Sequence, residues 1–212
     1  MFDVDARNVR WGFGGGLYFS QMDGDGGICK HSGNKAGAKY GTGYCKPKCP
    51  RNIKLINGQQ GSDTNPGTGF GCYGTCCNEI DIREANSYST ASIANPCTVQ
   101  EQTRCSGSEY TSCCHSDGCD FNPYRLGNLP YYGHNMTVDT NKKPTVITQF
   151  ITADNTTTSA LGEIRRLYIQ NGKVVQNARS SIPELAGFDS IAEEYCSAQK
   201  AAFGDPDVCA KR

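Results

Sequence analysis

Short apolar runs recur along the chain, and Gly, Asn, Pro and Asp separate them. Four of the runs are of strand length and rich in β-branched and aromatic side chains: residues 16–22, 53–56, 144–150 and 161–170. Asn171-Gly172 follows the last run and is typical of a two-residue hairpin turn, which predicts another strand at 173–175. Apolar and polar residues also alternate from Phe2 onward, which predicts a strand at the N-terminus.

One segment has the spacing of a helix instead. Apolar positions recur with a helical period in residues 190–203, and Gly204 is a suitable stop. Many short strands with one late helix predict an all-β sandwich or jelly roll. We interpret the polar stretch 61–69 as a loop within the sheet, so we expect residues 1–212 to form one domain.

Composition restricts the class of protein. Hydrophobic residues make up 37% of the chain and the mean hydropathy is −0.55, which excludes a membrane protein. The 21 basic and 21 acidic side chains cancel, so no net positive field attracts nucleic acid. The 13 cysteines indicate an oxidising, secreted setting, and because their number is odd, at least one lacks a partner within the chain.

The N-terminus lacks the pattern of a secretory signal. Asp3 and Asp5 stand where a signal peptide has a basic start and an apolar run. Two N-glycosylation sequons, which begin at Asn135 and Asn155, nevertheless fit a secretory route. We therefore expect a secreted, extracellular protein, of which this chain is a fragment that begins within a strand and carries no signal peptide.

Three carboxylates lie close together in the sequence. On a strand, Glu79 and Asp81 share one face, and a single β-bulge before Glu84 would turn this side chain to the same face. Three carboxyl groups in a cleft suit glycoside hydrolysis, in which one carboxylate attacks the anomeric carbon and a protonated carboxyl releases the leaving oxygen. The spacing alone leaves a solvated acidic strand face open as the alternative.

Several segments together resemble a known family. In chain order they are residues 35–45, 49–51, 56–59, 76–86 with the motif Glu-x-Asp-x-x-Glu, 117–125, 146–150 and 194–196. They resemble glycoside hydrolase family 7, the fungal-type cellobiohydrolases and endoglucanases, whose catalytic domains are much longer than this chain. The resemblance therefore covers only the central part of such a domain. It implies a β-jelly roll, a concanavalin-like sandwich of two antiparallel curved sheets, and retaining hydrolysis of β-1,4-glucan.

The resemblance also implies roles for single residues. Glu79 would be the nucleophile, Glu84 the general acid/base, and Asp81 the helper bonded to the nucleophile. Other positions would line sugar subsites: Tyr18, Tyr44, Lys54, Asn95, Asp117 and Arg125. Aromatic faces stack on pyranose rings, while charged and amide groups bond hydroxyls. A buried Tyr or a surface ion pair is the alternative for each position, and no metal or cofactor is implied.

Two departures from the family pattern concern the acid/base. Arg83 replaces an aromatic residue, and a cation so close would lower the pKa of Glu84 unless the Arg83 side chain turns to solvent. Asn95 replaces the His that precedes Pro-Cys, and its amide keeps a hydrogen bond but does not titrate. Trp11 also stands where the family has a Cys.

Loop lengths indicate how the glucan would be cut. The family's cellobiohydrolases roof the cleft with loops, one of which would lie between Cys113 and Cys114, adjacent here. The segment 60–75 is also shorter than its tunnel-forming counterpart. An open cleft favours an endoglucanase; a cellobiohydrolase or an inactive glucan-binding fragment is the alternative. We expect a monomer that binds cellulose or another β-1,4-glucan, with no nucleic acid and no membrane as partner.

The resemblance implies a pairing for ten cysteines. The pairs are Cys45–Cys77, Cys49–Cys76, Cys97–Cys114, Cys105–Cys113 and Cys119–Cys196, and the first two would brace the strand that leads into Glu79. Cys29 with Cys72 is an additional hypothesis, which leaves Cys209 as the odd cysteine. A zinc site at Cys45, Cys49 and Cys76-Cys77 is the alternative, although vicinal cysteines chelate zinc poorly.

Overall fold

The computed structural model of the chain describes residues 1–53, 55–60, 73–106, 113–114 and 117–204. Within these ranges the chain forms 15 short strands and one α-helix. The elements are β1 (Phe2–Asp3), β2 (Gly15–Ser20), β3 (Leu55–Ile56), β4 (Gln59–Gln60), β5 (Tyr73–Cys76), β6 (Glu79–Ala85), β7 (Thr90–Asn95), β8 (Thr103–Ser106), β9 (Cys119–Phe121), β10 (Tyr132–Gly133), β11 (Val138–Asp139), β12 (Thr145–Thr152), β13 (Leu161–Gln170), β14 (Lys173–Gln176), β15 (Ile191–Ala192) and α1 (Glu193–Phe203). The all-β prediction is therefore confirmed, while the predicted loop 61–69 lies outside the described residues.

The described residues divide into two compact units. The first contains residues 1–17, 81–94 and 119–204, and the second contains the described parts of 18–80 and 95–118. The division falls within strands β2, β6 and β7, each of which contributes residues to both units.

Two sheets account for most strands of the first unit. One has the order β1-β12-β13-β14, with β15 also paired to β13, and all of these pairs are antiparallel. The other has the order β2-β6-β7-β9, with β7 and β9 antiparallel. Side chains buried in this unit are mainly apolar or aromatic, including Ile82, Phe121, Leu126, Val146 and Tyr168. The unit thus has a conventional hydrophobic core.

The β13–β14 hairpin shows how closely local sequence determines this sheet. The predicted strand 161–170 has the bounds of β13, and β14 covers the predicted 173–175. Asn171 and Gly172 join the strands with φ angles of 53° and 74°, the left-handed values that a two-residue turn of this kind requires. The hairpin prediction is therefore confirmed.

Helix α1 begins later than the sequence predicts. Residues 191 and 192 form β15, which pairs with Glu163 and Ile164 of β13, so the helix starts at Glu193 rather than at residue 190. It ends at Phe203 and is capped by Gly204, whose φ is 69° and whose N–H donates to the Lys200 and Ala201 carbonyls. Residues 191 and 192 of the predicted helix therefore form a strand, because they pair with β13. Among the described residues, no helix has the length and apolar character needed to cross a membrane.

The second unit has short hairpins and many disulfides. Strands β3 and β4 pair in one antiparallel hairpin, and β5 pairs with β8 in another. Its buried cluster consists of cysteines, with Val99 packed against it: Cys49, Cys76, Cys97, Cys105, Cys113 and Cys114. Cystine sulfur therefore occupies the place that aliphatic side chains occupy in the first unit.

All five disulfides implied by the family resemblance are confirmed. They are Cys45–Cys77, Cys49–Cys76, Cys97–Cys114, Cys105–Cys113 and Cys119–Cys196. The first four lie in the second unit and the fifth lies in the first. Cys29 is exposed, but Cys72 and Cys209 lie outside the described residues, so the assignments of these three stay predictions.

Candidate active site

Strand β6 carries the three carboxylates that the sequence predicts as catalytic. Glu79 begins the strand and is half-buried, Asp81 is half-buried, and Glu84 is exposed. Between them, the consecutive residues Ile82 and Arg83 are only 3% and 2% exposed. A regular half-buried strand alternates between its faces, whereas Ile82 and Arg83 are adjacent and both buried. The bulge before Glu84 stays a prediction, and Glu84 itself is exposed.

Asn78 fixes the backbone that leads into Glu79. Its side-chain amide donates to Gln21 Oε1 at 2.7 Å and to the Val99 carbonyl at 3.2 Å, while its Oδ1 accepts from the Cys97 N–H at 2.6 Å. The Gln21 N–H donates to the Asn78 carbonyl at 2.9 Å. With the neighbouring disulfide, these bonds hold the start of β6. The sequence analysis does not single out Asn78; its place between a bridged cysteine and a candidate nucleophile is the signal for this role.

The Arg83 side chain is buried and does not turn to solvent. Its Nη2 donates to Tyr132 Oη at 2.5 Å, and its guanidinium carbon lies 5.6 Å from the Tyr132 ring centroid. Burial raises the pKa of Tyr132 and the Arg83 charge opposes this rise, so the phenol stays protonated and donates to the Asn86 carbonyl at 3.0 Å. The Arg83 guanidinium therefore faces Tyr132 and not solvent.

Arg166 reaches β6 from β13, in the other sheet of the first unit. Its Nη2 donates to the Ile82 carbonyl, between Asp81 and Glu84, and the residue is only 5% exposed. Arg83 Nε, Arg83 Nη1 and Arg166 Nε are buried without hydrogen-bond partners in the part of the chain that the structure describes. Such groups lower stability. The bonds of the two arginines therefore support β6, but their unpaired nitrogens lower the stability of the fold. A basic residue on a strand gives no sequence signal for such a role.

The predicted sugar-binding residues differ in exposure. Tyr18 on β2 is 45% exposed and Asp117 is exposed, whereas Tyr44 is half-buried and Asn95 is buried at the end of β7. In the second unit lie Tyr18, Tyr44, Glu79, Asn95 and Asp117, and in the first lie Asp81, Glu84 and Arg125. Lys54 lies outside the described residues. The Tyr18 ring and the Asp117 carboxylate are thus accessible to a ligand.

Arg125 is held in place by β9 and α1. Its Nη1 donates to Asp120 Oδ1 at 2.5 Å, and its guanidinium carbon lies 4.0 Å from the Phe203 ring centroid. The same Asp120 oxygen accepts from Gln199 Nε2 at 2.6 Å, and the Asp120 carbonyl accepts from Tyr195 Oη at 2.7 Å. The helix therefore orients the planar guanidinium of Arg125, which is suited to bind hydroxyl and carboxylate oxygens. The helical sequence pattern does not predict this role of the helix.

Two groups of cysteine sulfur atoms have the proximity of metal ligands. They are Cys49, Cys76 and Cys114, and Cys76, Cys105 and Cys113, with their Sγ atoms within 4.8 Å of one another. Each of these sulfur atoms belongs to a disulfide, and a metal ligand must be a thiolate. The cysteines of the zinc alternative, Cys45, Cys49, Cys76 and Cys77, are likewise all disulfide-bonded, so they offer no thiolate.

The whole chain, residues 1–212, matches the family model described as Glycosyl hydrolase family 7. It is similar to a GH7 family cellobiohydrolase from Daphnia pulex, with 42% identity and a TM-score of 0.89 over 99% of this chain and 51% of that one. It is also similar to the Humicola insolens endocellulase EGI, with 33% identity and a TM-score of 0.79 over 98% of this chain and 50% of that one. A cellobiohydrolase from Melanocarpus albomyces, complexed with cellotetraose, matches with 33% identity and a TM-score of 0.81 over 97% of this chain and 49% of that one. The chain spans about half the length of each of these structures, and the likeness confirms the β-jelly-roll fold.

Proposed function

This chain belongs to glycosyl hydrolase family 7, and from that premise we propose that it hydrolyses internal β-1,4-glucosidic bonds in cellulose or a related β-glucan with retention of configuration. The observation that carries the proposal is strand β6, on which Glu79, Asp81 and the exposed Glu84 follow a braced entry segment. We further propose that residues 1–212 form part of one catalytic domain, because the matched structures are about twice as long.

The proposed mechanism is a double displacement. Glu79 attacks the anomeric carbon while Glu84 gives its proton to the leaving glycosidic oxygen, which yields a glycosyl-enzyme and a shortened glucan chain. Glu84 then removes a proton from water, the water oxygen attacks the same carbon, and Glu79 is released as a carboxylate. Asp81 holds the Glu79 carboxylate in position. Each displacement inverts the anomeric carbon, so two displacements retain its configuration.

The surroundings of β6 support this assignment. Retaining hydrolysis needs two carboxyl groups roughly 5–5.5 Å apart and held steadily. The four hydrogen bonds at Asn78 and the disulfides at Cys76 and Cys77 restrain the entry to β6, and the Arg166 bond to the Ile82 carbonyl restrains its middle. Backbone restrained at both places favours a fixed geometry for the side chains that the strand carries.

An endoglucanase-like mode is favoured by the loops. Cys113 and Cys114 are adjacent and both lie in the buried cysteine cluster, so no roofing loop extends between them. The segment 60–75 lies largely outside the described residues. The second candidate is a cellobiohydrolase that releases cellobiose from chain ends, and the 42% identity to the Daphnia pulex cellobiohydrolase favours it. Both candidates use the same carboxylates and differ in access to the cleft.

The proposal includes an extracellular location and a glucan as the partner of a monomeric chain. The five disulfides fit an oxidising compartment. The Melanocarpus albomyces relative was solved with cellotetraose, which supports a β-1,4-linked glucan as the ligand class.

Activity of the oxidised chain on soluble carboxymethylcellulose tests the proposal. We expect Glu79→Gln and Glu84→Gln each to lower kcat by roughly 10²–10⁴-fold because each removes a group that bonds or transfers a proton in the transition state. Glu184→Gln, at an exposed position remote in sequence, is the matched control and should keep full activity. Full activity in either active-site variant would refute the assignment. A folded wild-type chain that binds the glucan without cleaving it would establish the inactive-fragment alternative.

A further inference from the structure

The loop between β12 and β13 is an exposed, polar projection of the first unit. It comprises residues 153–160, of which 153–158 are all exposed. The Ala153 N–H donates to the Ala160 carbonyl at 3.0 Å and closes the base of the loop. Asn155 stands in the turn with a φ of 61°, and its N–H donates to the Thr152 carbonyl at 3.2 Å. The backbone is thus ordered while the side chains face solvent.

The side chains of this loop leave one sequon accessible. Thr156 is tied to Asp154, because its N–H and its Oγ1 both donate to Asp154 Oδ1, at 2.9 Å and 2.7 Å. Asn155 and Thr157, the acceptor and hydroxyl positions of the sequon, have no side-chain hydrogen bond to any described residue. The loop therefore leaves the Asn155 and Thr157 side chains exposed and without hydrogen bonds to described residues, on either side of the bonded Thr156.

The chain's second sequon, at Asn135, is engaged within its own segment. Asn135 Oδ1 accepts from Asn141 Nδ2 at 3.2 Å, and the Asn135 N–H donates to Asp139 Oδ1 at 2.9 Å. Thr137 is also held, since its N–H donates to the Pro130 carbonyl at 3.2 Å. The Asn135 carboxamide is therefore oriented by its bond to Asn141, whereas no hydrogen bond to a described residue orients the Asn155 carboxamide.

We propose that Asn155 is an N-glycosylation site and that it is occupied in preference to Asn135; the inference rests on the extracellular location proposed above. Asn155 Nδ2 attacks the anomeric carbon of a lipid-linked oligosaccharide pyrophosphate. A carbon–nitrogen bond forms, the carbon–oxygen bond to the pyrophosphate breaks, the lipid pyrophosphate leaves, and Nδ2 loses one proton. Thr157 supplies the hydroxyl that the acceptor sequence requires.

Secretion of the full chain from a eukaryotic host behind a cleavable leader tests this site. Peptide mass spectrometry after enzymatic release of N-glycans in ¹⁸O-labelled water marks each occupied Asn as a labelled Asp. We expect label on Asn155 in most chains and occupancy several-fold lower at Asn135. Thr157→Ala should abolish the label at Asn155, Thr157→Ser should keep it, and Thr158→Ala, the adjacent threonine outside the sequon, should leave it unchanged.

Two results would overturn the inference. One is an unlabelled Asn155 in secreted chains while a glycoprotein from the same cells is labelled, and the other is occupancy at Asn135 equal to or above that at Asn155. Glucan hydrolysis is measured on the same samples. An inactive chain with a glycan on Asn155 contradicts the proposed enzyme activity alone, and an active chain without it contradicts this inference alone.

Discussion

The two units of this chain are stabilised by different means. The first has two sheets over a core of apolar and aromatic side chains, and its described residues contain a single disulfide, Cys119–Cys196. The described residues of the second unit include two short hairpins, and its buried cluster is formed by cysteines that belong to three disulfides. The first unit buries two guanidinium groups, whereas the second carries the braced entry to β6.

This difference shows what each kind of core provides. Burial of apolar area stabilises the first unit in proportion to the surface removed from water. The buried cluster of the second unit consists of cysteines, so we expect its order to depend on covalent links that restrict the unfolded chain. The entry to β6 lies next to the covalent links, and the longer strands β12 and β13 belong to the unit with the apolar core.

Removal of a central disulfide should have the largest effect on this contrast. The double variant Cys49→Ala/Cys76→Ala should lose about 2–5 kcal/mol of stability. Without the disulfide the unfolded chain gains conformational entropy, and the cysteine cluster loses two of its buried side chains. Hydrogen exchange should show loss of protection in β5 and β8 with protection retained in β12 and β13. The control is Cys119→Ala/Cys196→Ala, which should leave β5 and β8 protected. Simultaneous loss of protection in both units of either variant would contradict separate stabilisation.

The two buried arginines of the first unit should differ in their contribution to stability. Arg166→Met should cost about 1–3 kcal/mol, because it removes the donor to the Ile82 carbonyl and leaves a buried acceptor unpaired. Arg83→Met should cost less than about 1 kcal/mol or stabilise the fold, because it removes two unpaired N–H groups while Tyr132 keeps its bond to Asn86. Urea unfolding of the two variants gives both values, and a larger cost for Arg83→Met would overturn this account of the pair.

The smallest expected effect is the pH dependence of stability that one aspartate confers on a loop in each unit. Backbone N–H groups of Gly27 and Cys29 lower the pKa of Asp25 in the second unit, and those of Asn135 and Asn141 lower the pKa of Asp139 in the first. A depressed folded-state pKa stabilises the fold above the ordinary value of 3.8, and this contribution is lost as the pH falls through the depressed value.

Local exchange measurements test this pH dependence. Protection factors of the Gly27 and Asn141 amides should fall as the pH drops below the ordinary carboxyl pKa, and Asp25→Asn and Asp139→Asn should flatten that dependence, each in its own loop. Asp117→Asn, at an exposed aspartate whose carboxylate is not part of either loop, is the matched control. Unchanged pH dependence in both loop variants would show that these carboxylates do not stabilise their loops.

Much of the fold follows from local sequence, and the rest depends on contacts distant in the chain. The turn at Asn171-Gly172 and the strand 161–170 need only near neighbours, so the pattern predicts them correctly. Residue 191 has a helical pattern but pairs with Ile164, and local periodicity carries no information about such pairing. The carboxylates on β6 are visible as a motif. Asn78 and Arg166 support that strand through partners up to 84 residues away. Neither residue belongs to a sequence motif that predicts this role.

The central claim is that Glu79 forms a covalent glycosyl-enzyme, and trapping of that species tests it most directly. The oxidised chain is incubated with a 2-deoxy-2-fluoro-cellobiosyl fluoride of β configuration. Its fluorine at carbon 2 slows both displacements, and its fluoride leaving group at carbon 1 speeds only the first, so the glycosyl-enzyme accumulates. Peptide mass spectrometry then locates the label. The account predicts one fluorocellobiosyl group per active chain, on Glu79, and none in Glu79→Gln. Label on Glu84 or on another carboxylate, or an active chain that stays unlabelled, would contradict it.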